Sequence, residues 1–528
     1  MKYFKINIKT LYLAASLGLV SLSATSCLDD LKRDPITDVS SQSAFKDFAN
    51  YPSLLGKVYG GLAMGGISSG DGNGDISGID GGFSEYQRLY FELQTLPTDE
   101  AVIAWTDAGL PDLHSMTWSS SNQFVSGMYY RIYSVIAHSN NFIANTSDAK
   151  LAENGITGAN LDAAKIMRTE ARFVRAQSYE HLLDLFGNVP FVDETFAFGS
   201  GNLPKRIERK DLFNWVEAEL LACANELKDP KTNQYGRVDK AAAWSLLARL
   251  YLNAQVYSGT NRWNDCVTYC NKVLQSGYSL KTDYKTLFNA NNDQNNPEVI
   301  FAVPFDGTNI QSNGGSTFMI HASVGGKMVL ADSGITTSGW GGLRVTKSFV
   351  NLFPTDGSDK RGRFFTTDQN LEINNVSTFT DGYAFYKYTN LTNAGTNGKD
   401  GNFCDADIPL YRLADVYLMY AEATLRGGNG DMTTALGYIN NIRTRAGAST
   451  VSSINLDFIL QERSRELSWE ATRRSDLIRY GRFTSSSYLW PWKGGSQNGV
   501  GVGDFRSLYP IPANEIIANP NLVQNSGY

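Results

Sequence analysis

Residues 162–277 contain four segments whose apolar side chains recur at the spacing of an α-helix. The first segment carries Phe173, Leu182 and Leu183 at helical spacing and ends at Gly187. The third follows Asp239, a residue type that caps helix N-termini, and begins with three alanines that let a neighbouring helix approach closely. The pattern predicts helices over residues 162–186, 211–227, 241–251 and 263–276.

Antiparallel helices of this length, with small residues on one and bulky residues on the next, are typical of tetratricopeptide-like repeats. The sequence therefore predicts a mainly α fold built on a helical-repeat scaffold. Between residues 278 and 405, Gly, Asn, Thr and Ser dominate and the helical periodicity fades. We expect an irregular lobe of loops and short hairpins there, because binding residues often lie on loops held by a rigid scaffold. Helices are predicted again over 411–426, 433–446 and 457–480.

These changes in pattern divide the chain into five predicted regions. They are an export signal (1–26), an N-terminal region with a glycine-rich surface loop (27–160), the repeat helices (161–277), the irregular lobe with ligand-binding loops (278–405), and C-terminal helices with an extended tail (406–528).

The N-terminus has the pattern of a bacterial export signal. Three lysines precede an uncharged run that is shorter than the roughly 20 apolar residues of a membrane span. The run ends at Cys27, and residues 24–27 resemble a lipobox, so we expect Cys27 to become the lipid-bearing first residue of the mature chain. Asp29 and Asp30 resemble the signal that sends such lipoproteins to the outer face of the outer membrane. A plain secretory signal with an incidental cysteine is the alternative.

Charge and aromatic content narrow the class of partner. The 528-residue chain has a net charge of −6 and no run of five or six basic residues, which argues against nucleic acid. Its 27 tyrosines, 27 phenylalanines and 9 tryptophans exceed what a core of this size needs. We therefore expect some aromatic side chains on a surface.

Motifs for catalysis and metal binding lack the context that their chemistry requires. Residues 66–70 match G-x-S-x-G but lie in a glycine run with no strand before them. Asp71, Asn73 and Asp75 match the start of a calcium loop, but Ile76 replaces the required glycine. We expect no enzyme activity, no cofactor and no metal, and the alternative for this loop is a calcium site of another kind. The remaining cysteines are interpreted as small core residues: Cys223, Cys266, Cys270 and Cys404.

Carboxylates leave an enzyme alternative open, because only the separation between two of them would identify a glycosidase. Glu462, Glu466 and Glu470 follow one another four residues apart among several arginines. That spacing favours a salt-linked helix face.

Two tryptophans in poorly periodic surroundings are candidates for sugar stacking. A pyranose ring has an apolar C–H face and a hydroxyl rim, so an indole can stack on the face while polar groups bind the rim. Trp105 with Asp107, and Trp340 with Arg344, have that combination. The alternative is that both rings are core. For the helical Trp215, Trp244 and Trp263, a core position is the favoured interpretation.

Five ordered segments carry a family resemblance: RTEARFVRAQSYEHLLDLFGNVPF (168–191), GRVDKAAAWSLLARLYLNAQVY (236–257), DIPLYRLADVYLMYAEA (407–423), ERSRELSWEATRRSDLIRYGRF (462–483), and the closing YPIPANEIIANPNLVQNSGY. They resemble the SusD/RagB family of Bacteroidetes outer-membrane lipoproteins. The resemblance implies four tetratricopeptide-like units. It also implies a surface subunit that captures glycan and lies as a lid on a TonB-dependent barrel transporter.

Shorter stretches are similar to a starch-binding member of that family: LPTDEAVIAWTDAG, GGSTF, TTSGW and YLWPWKGG. By motif position, its two stacking tryptophans correspond to Trp105 and Trp340. Ala108 and Asn313 stand where that member has an asparagine and a stacking tyrosine, so half of the implied site differs.

The expected function is that of a surface-exposed, lipid-anchored glycan-binding protein of the outer membrane. It would capture an oligo- or polysaccharide, with an α-glucan such as starch as one candidate, and deliver it to a SusC-like TonB-dependent β-barrel transporter. The expected glycan-binding residues are Trp105, Asp107, Asn313, Trp340 and Arg344. The alternative is a repeat-type protein-interaction scaffold of a transporter, with a peptide or another nutrient as cargo.

Overall fold

A computed structural model describes residues 41–197 and 201–528 of the chain. Cys27, Asp29 and Asp30 lie outside the described residues, so their predicted roles stay predictions. The α-helices of the described part are α1 (Ser41–Ala44), α2 (Tyr51–Gly60), α3 (Tyr86–Thr95), α4 (Pro111–Ser115), α5 (Gln123–Asn145), α6 (Asp148–Glu153), α7 (Gly158–Leu185), α8 (Arg209–Glu226), α9 (Lys240–Leu252), α10 (Ala254–Ser258), α11 (Trp263–Leu274), α12 (Gly315–His321), α13 (Lys347–Val350), α14 (Leu413–Leu425), α15 (Met432–Ala446), α16 (Leu456–Leu467), α17 (Arg473–Arg479) and α18 (Ala513–Ala518).

The strands of the described part are short and pair in antiparallel twos. The pairs are β1 (Gly66–Ser68) with β2 (Gly72–Gly74), β3 (Ala101–Ile103) with β7 (Leu343–Val345), β4 (Val189–Pro190) with β5 (Arg206–Ile207), β6 (Val299–Val303) with β10 (Ile408–Arg412), and β8 (Phe364–Phe365) with β9 (Ala384–Phe385). Two of these pairs, β3 with β7 and β6 with β10, join segments far apart in sequence. The strands therefore connect distant parts of the chain and do not form a separate sheet domain.

The helices form one array in which each long helix packs against the next. Helix α5 packs on α7, α7 on α8, α8 on α9, α9 on α11, α11 on α14, and α14 on α15. The contact between α11 and α14 joins helices that are separated by residues 275–412. The irregular lobe is therefore inserted into the helical array. The predicted mainly α, tetratricopeptide-like class is confirmed, whereas the division of the chain into five regions stays a prediction.

Residue types that start or end helices correctly predicted several helix ends. Asp239 caps α9, with its carboxylate accepting from the backbone N–H groups of Ala241 and Ala242. Gly447 ends α15 in the left-handed conformation, with φ of 78°. The buried cysteines confirm their interpretation as core residues, and none of the four in the described ranges forms a disulfide.

Two local predictions are wrong. The helix predicted over 457–480 is two helices, α16 and α17, separated by a segment in which Trp469 and Ala471 have φ of 62° and 55°. The Trp469 indole is buried against Phe91 and Phe385, and this tertiary packing overrides the local helical pattern. In the lobe, where loops and short hairpins were expected, residues 318–321 belong to helix α12.

Tryptophan burial also differs from expectation. The tryptophans that are fully buried are Trp118, Trp469 and Trp490. The helical Trp215, Trp244 and Trp263 are only partly buried, as are Trp105 and Trp340. Within the described ranges, the structure contains no helix with the length and apolarity needed to cross a membrane.

The glutamates of α16 are buried in a network of arginines. Glu466 accepts from Arg412 at 2.6 Å and from Arg361 at 3.2 Å, and it also pairs with Arg445. Arg361 belongs to the inserted lobe and Arg412 to β10, so Glu466 joins three parts of the fold. Burial alone would raise the pKa of the neighbouring Glu462, but the surrounding guanidinium groups outweigh burial and lower that pKa to about 2.

Replacing Glu466 with alanine should destabilise the protein strongly. Removing one member of a buried ionic network leaves uncompensated charge, which typically costs about 3–5 kcal/mol. Urea denaturation followed by circular dichroism measures the change. The matched control is Asp148→Ala, which removes a carboxylate from a solvent-exposed pair with Arg168 and should leave the midpoint unchanged. Equal midpoints for wild type and Glu466→Ala would contradict a structural role for the network.

Candidate functional site

The pairing of β3 with β7 brings Trp105 and Trp340 together. Ile103 lies opposite Leu343, and the N–H of Ala104 extends the ladder by donating to the carbonyl of Gly342 at 2.9 Å. Trp105 follows the end of β3, and Trp340 precedes the start of β7. Two tryptophans 235 positions apart in sequence therefore lie side by side.

The two indoles are fixed to each other. Trp105 Nε1 donates to the carbonyl of Trp340 at 3.0 Å, and the ring centroids are 6.2 Å apart at an angle of 48°. Both rings are partly exposed. Gly342 permits this arrangement, because a β-carbon at that position would lie 2.6 Å from Cε2 of Trp105. We call Trp105 and Trp340 the tryptophan pair.

Each indole has a supporting ring or cation. His321 stacks on Trp340 with centroids 4.9 Å apart, and burial lowers the pKa of this histidine, so a neutral imidazole supports the ring. Phe318, one turn earlier on α12, packs edge-on against Trp105. The Arg88 guanidinium lies 5.5 Å from the centre of the Trp105 ring. These contacts orient the rings before any ligand arrives.

The loop between α12 and β7 is held by backbone hydrogen bonds. The N–H groups of Trp340, Gly341 and Gly342 donate to carbonyls of residues 321, 324 and 322 at 2.7, 2.9 and 2.8 Å. The loop therefore carries Trp340 on a rigid support.

The predicted partners of the tryptophan pair have different surroundings. Asp107 is half-buried in the loop after Trp105, and its carboxylate forms no hydrogen bond or ion pair within the described ranges. Asn313 lies near the β1–β2 hairpin, where its side-chain amide donates to the carbonyl of Gly70 at 2.8 Å and its backbone N–H donates to Asp71. Asp107 is thus open to a ligand, whereas the amide N–H of Asn313 is already engaged.

Arg344 does not reach the surface. Its side chain is 0% exposed, and it donates to the carbonyls of Gly342, Thr378 and Asp381 at 2.9, 3.0 and 3.0 Å. The expectation that Arg344 contacts glycan is not supported, because the guanidinium is enclosed and its donors are used. Arg344 instead fixes the loop of residues 376–381 beside β7. Sequence alone placed an arginine beside a loop tryptophan but could not report its burial.

Sequence reasoning missed the supporting residues Arg88 and His321. Arg88 lies on α3 and donates to Glu92 at 3.0 Å and to the carbonyl of Gly82 at 2.8 Å. His321 lies at the end of α12. Neither residue is near a tryptophan in the sequence, so spacing gave no signal of their contact with the pair.

The glycine-rich stretch is a hairpin whose carboxylates are already used. Asp71 accepts from the N–H of Gly65 at 2.9 Å and from the Ser312 hydroxyl at 3.0 Å. Asp75 forms a bidentate ion pair with Arg131 at 2.6 and 2.9 Å. These carboxylates therefore hold the hairpin to the lobe and to α5. Across the described ranges, no group of three or more His, Cys, Asp or Glu side chains is arranged to hold a metal ion.

The fold is that of a tetratricopeptide-like helical protein with an inserted lobe that completes an aromatic pair. The family model for SusD matches residues 368–528. The chain is 34% identical, over 99% of both chains, to "Starch-binding protein SusD" of Bacteroides thetaiotaomicron. It is 25% identical to "SusD-like protein P2" of Formosa agariphila over the full length of both. The chain belongs to the SusD family.

Solved structures agree on the fold. A SusD-like carbohydrate-binding protein from Bacteroides fragilis aligns with a TM-score of 0.71 at 17% identity, covering 91% of this chain and all of the other. A SusD homolog from Bacteroides thetaiotaomicron aligns with a TM-score of 0.72 at 19% identity, covering 93% of this chain and 99% of the other.

Replacing Gly342 with alanine should displace the Trp105 indole while the fold is kept. The added methyl group would overlap the ring, and the ring can move toward solvent. Fluorine NMR of fluorotryptophan-labelled protein should show shifted Trp105 and Trp340 resonances. Gly437→Ala, on α15 with open space around the added atom, is the matched control and should shift neither. Unshifted resonances in Gly342→Ala would contradict the described contact.

Proposed function

We propose that this protein is a non-enzymatic, surface-exposed lipoprotein that binds glycan on the tryptophan pair and delivers it to a TonB-dependent outer-membrane transporter. The observation that carries the proposal is the juxtaposition of two partly exposed, rigidly supported indoles. Asp107 is two residues beyond Trp105, and its carboxylate forms no hydrogen bond or ion pair within the described ranges. Indole faces bind the C–H face of a pyranose, and a carboxylate accepts from sugar hydroxyls. Family membership supports the same function.

An α-glucan such as starch is the proposed ligand, because the 34% identical relative is named as a starch-binding protein. Ala108 and Asn313 replace two residues that the family resemblance assigns to the site, so the contacts with the sugar rim differ from those of that relative. The proposal assigns the ring stacking to Trp105 and Trp340 and the rim contact to Asp107.

The geometry supports weak binding. Each stacked ring contributes about 1–2 kcal/mol from apolar burial. With a few hydroxyl contacts the net binding free energy is about −4 kcal/mol, which corresponds to a millimolar Kd. A polysaccharide that meets many anchored copies gains avidity without further contacts. Weak individual contacts also allow release to the transporter.

Binding without cleavage agrees with the position of the carboxylates. Glu462 and Glu466 both contact Arg361, but both are 0% exposed and ion-paired. A glycosidase pair must face its substrate. These two glutamates therefore stabilise the fold and do not form a catalytic pair.

Trp105→Ala and Trp340→Ala should each weaken amylopectin binding about five- to tenfold, because each removes one stacking surface. Affinity electrophoresis and calorimetry measure the change. Trp244→Ala, which truncates a partly buried tryptophan on α9, is the matched control and should bind like wild type. Unchanged binding in both platform variants would contradict the site. Wild-type protein that binds no polysaccharide but co-purifies with a barrel would favour the protein-scaffold alternative.

Cys27→Ser should release the protein from the outer-membrane fraction. Acyl chains anchor a protein because each buried methylene contributes about 0.8 kcal/mol, and serine cannot carry the thioether-linked lipid. Fractionation of cells and protease shaving of intact cells measure anchoring and exposure. The double variant Asp29→Ala with Asp30→Ala should stay lipidated but lose surface exposure. A membrane-bound Cys27→Ser protein would contradict the proposed anchor.

A further inference from the structure

Two adjacent cavities share the side chain of Tyr130. One, of about 190 Å³, lies between the first two turns of α5, residues 77–78 and residues 512–514. The other, of about 390 Å³, lies between Tyr130, Tyr133, β4 and Glu515. We call these two cavities the Tyr130 groove.

The tyrosines of the groove are held in fixed orientations. The rings of Tyr129 and Tyr130 meet edge-to-face, with centroids 5.6 Å apart at 86°. Tyr133 packs on Tyr129 at 4.7 Å and donates its hydroxyl to the carbonyl of Pro190 at 2.6 Å. Tyr130 and Glu515 line the same cavity, and burial and then the nearby Glu515 carboxylate raise the pKa of Tyr130 to about 12. Tyr130 therefore presents a partly exposed ring next to a carboxylate.

The lining of the groove suits a neutral polyhydroxyl ligand. Its polar side chains are hydroxyls, amides and carboxylates, among them Gln123, Ser126, Asn514, Asp75 and Glu515. None of the described residues that line the two cavities is lysine or arginine. Asp75 is already ion-paired with Arg131. A phosphate, sulfate or uronate would therefore meet the Glu515 carboxylate with no lysine or arginine in the lining to offset it, so anionic ligands are disfavoured. Aromatic rings flanked by hydroxyls, amides and carboxylates are the composition that binds uncharged sugars.

The groove begins at the loop that carries Trp105. The Gln123 side-chain amide donates to the carbonyl of Ala108 at 2.6 Å, and Ala108 is three residues beyond Trp105. Gln123, Ser126 and Tyr130 are spaced three and four residues apart, so they lie on one face of α5. The rise of an α-helix places Tyr130 about 10 Å along this face from Gln123. The hydrogen bond from Gln123 to Ala108 thus links the groove to the loop that carries Trp105.

We infer that the Tyr130 groove is a second glycan subsite, which binds units of the same neutral polysaccharide chain that lie beyond those stacked on the tryptophan pair. This inference rests on the proposed function and extends the binding site from the tryptophan pair to the Tyr130 groove. We call the two together the track. Tyr130 supplies the stacking face, and Glu515 and Gln123 supply rim contacts. The track favours long, uncharged chains over short ones.

Calorimetry of the mature full-length protein with maltotriose and with amylopectin tests the inference. Maltotriose can fill only one subsite, whereas amylopectin can span both. Tyr130→Ala should leave the maltotriose Kd unchanged and weaken amylopectin binding about fivefold, through loss of one stacking contact. Trp105→Ala should weaken both ligands. Tyr130→Phe, which keeps the ring, should retain most of the amylopectin affinity.

Three outcomes would overturn the inference. If Tyr130→Ala keeps the wild-type amylopectin affinity while Trp105→Ala binds amylopectin more weakly, the groove is not a subsite and the proposed function still holds. Equal weakening of both ligands in Tyr130→Ala, with an unchanged melting temperature, would make Tyr130 part of the primary site. If Trp105→Ala and Tyr130→Ala both bind like wild type, the tryptophan pair is not the glycan site either. Tyr269→Ala, a partly buried tyrosine on α11, is the matched control and should bind both ligands like wild type.

Discussion

The position of the tryptophan pair depends on the buried ion pair between Asp99 and Arg473. Both carboxylate oxygens of Asp99 accept from Arg473 at 2.7 Å. Asp99 lies two residues before β3, so this pair fixes the start of the strand that leads to Trp105. The carbonyl of Asp99 also accepts the hydroxyl of Thr346, which follows β7. The contact of Arg473 on α17 with Asp99 therefore holds both β3 and β7 in place. Because this ion pair is buried, loss of either partner should destabilise the fold.

The same C-terminal segment connects the helical array to the inserted lobe. Its ERSRELSWEATRR run contributes Ser464, which donates to Glu100 at 2.9 Å, and Trp469, whose backbone N–H donates to the same carboxylate at 3.3 Å. Glu466 reaches Arg361 and Arg412 in the lobe and β10. A buried ion network adds little net stability compared with apolar packing. Its consequence here is geometric, because these groups are satisfied only when the array, the lobe and the N-terminal region meet in one arrangement.

Local physics explains which features the sequence could predict. The repeat helices follow from apolar spacing and from residues such as Asp239 and Gly447, whose effects act within one turn. The pairing of β3 with β7 could not be derived this way, because three-residue strands more than 200 positions apart carry no local signal of their register. Loop context and family resemblance both pointed to Trp105 and Trp340, but neither gave the contact between the two rings. The error at Arg344 and the break at Trp469 both arise from burial, which depends on tertiary contacts.

In the loop from Trp105 to Leu110, the scaffold fixes the backbone, whereas side chains determine which ligand is preferred. Asn122 and Gln123 hold this loop through the carbonyls of Gly109 and Ala108, at 2.8 and 2.6 Å. Because these contacts use the backbone, the side chain at position 108 can vary without disturbing the platform. Position 313 differs, since the Asn313 side chain bonds to Gly70 and so couples the lobe to the hairpin. A change at 108 should therefore alter glycan preference at little structural cost, whereas a change at 313 also alters how the hairpin is held.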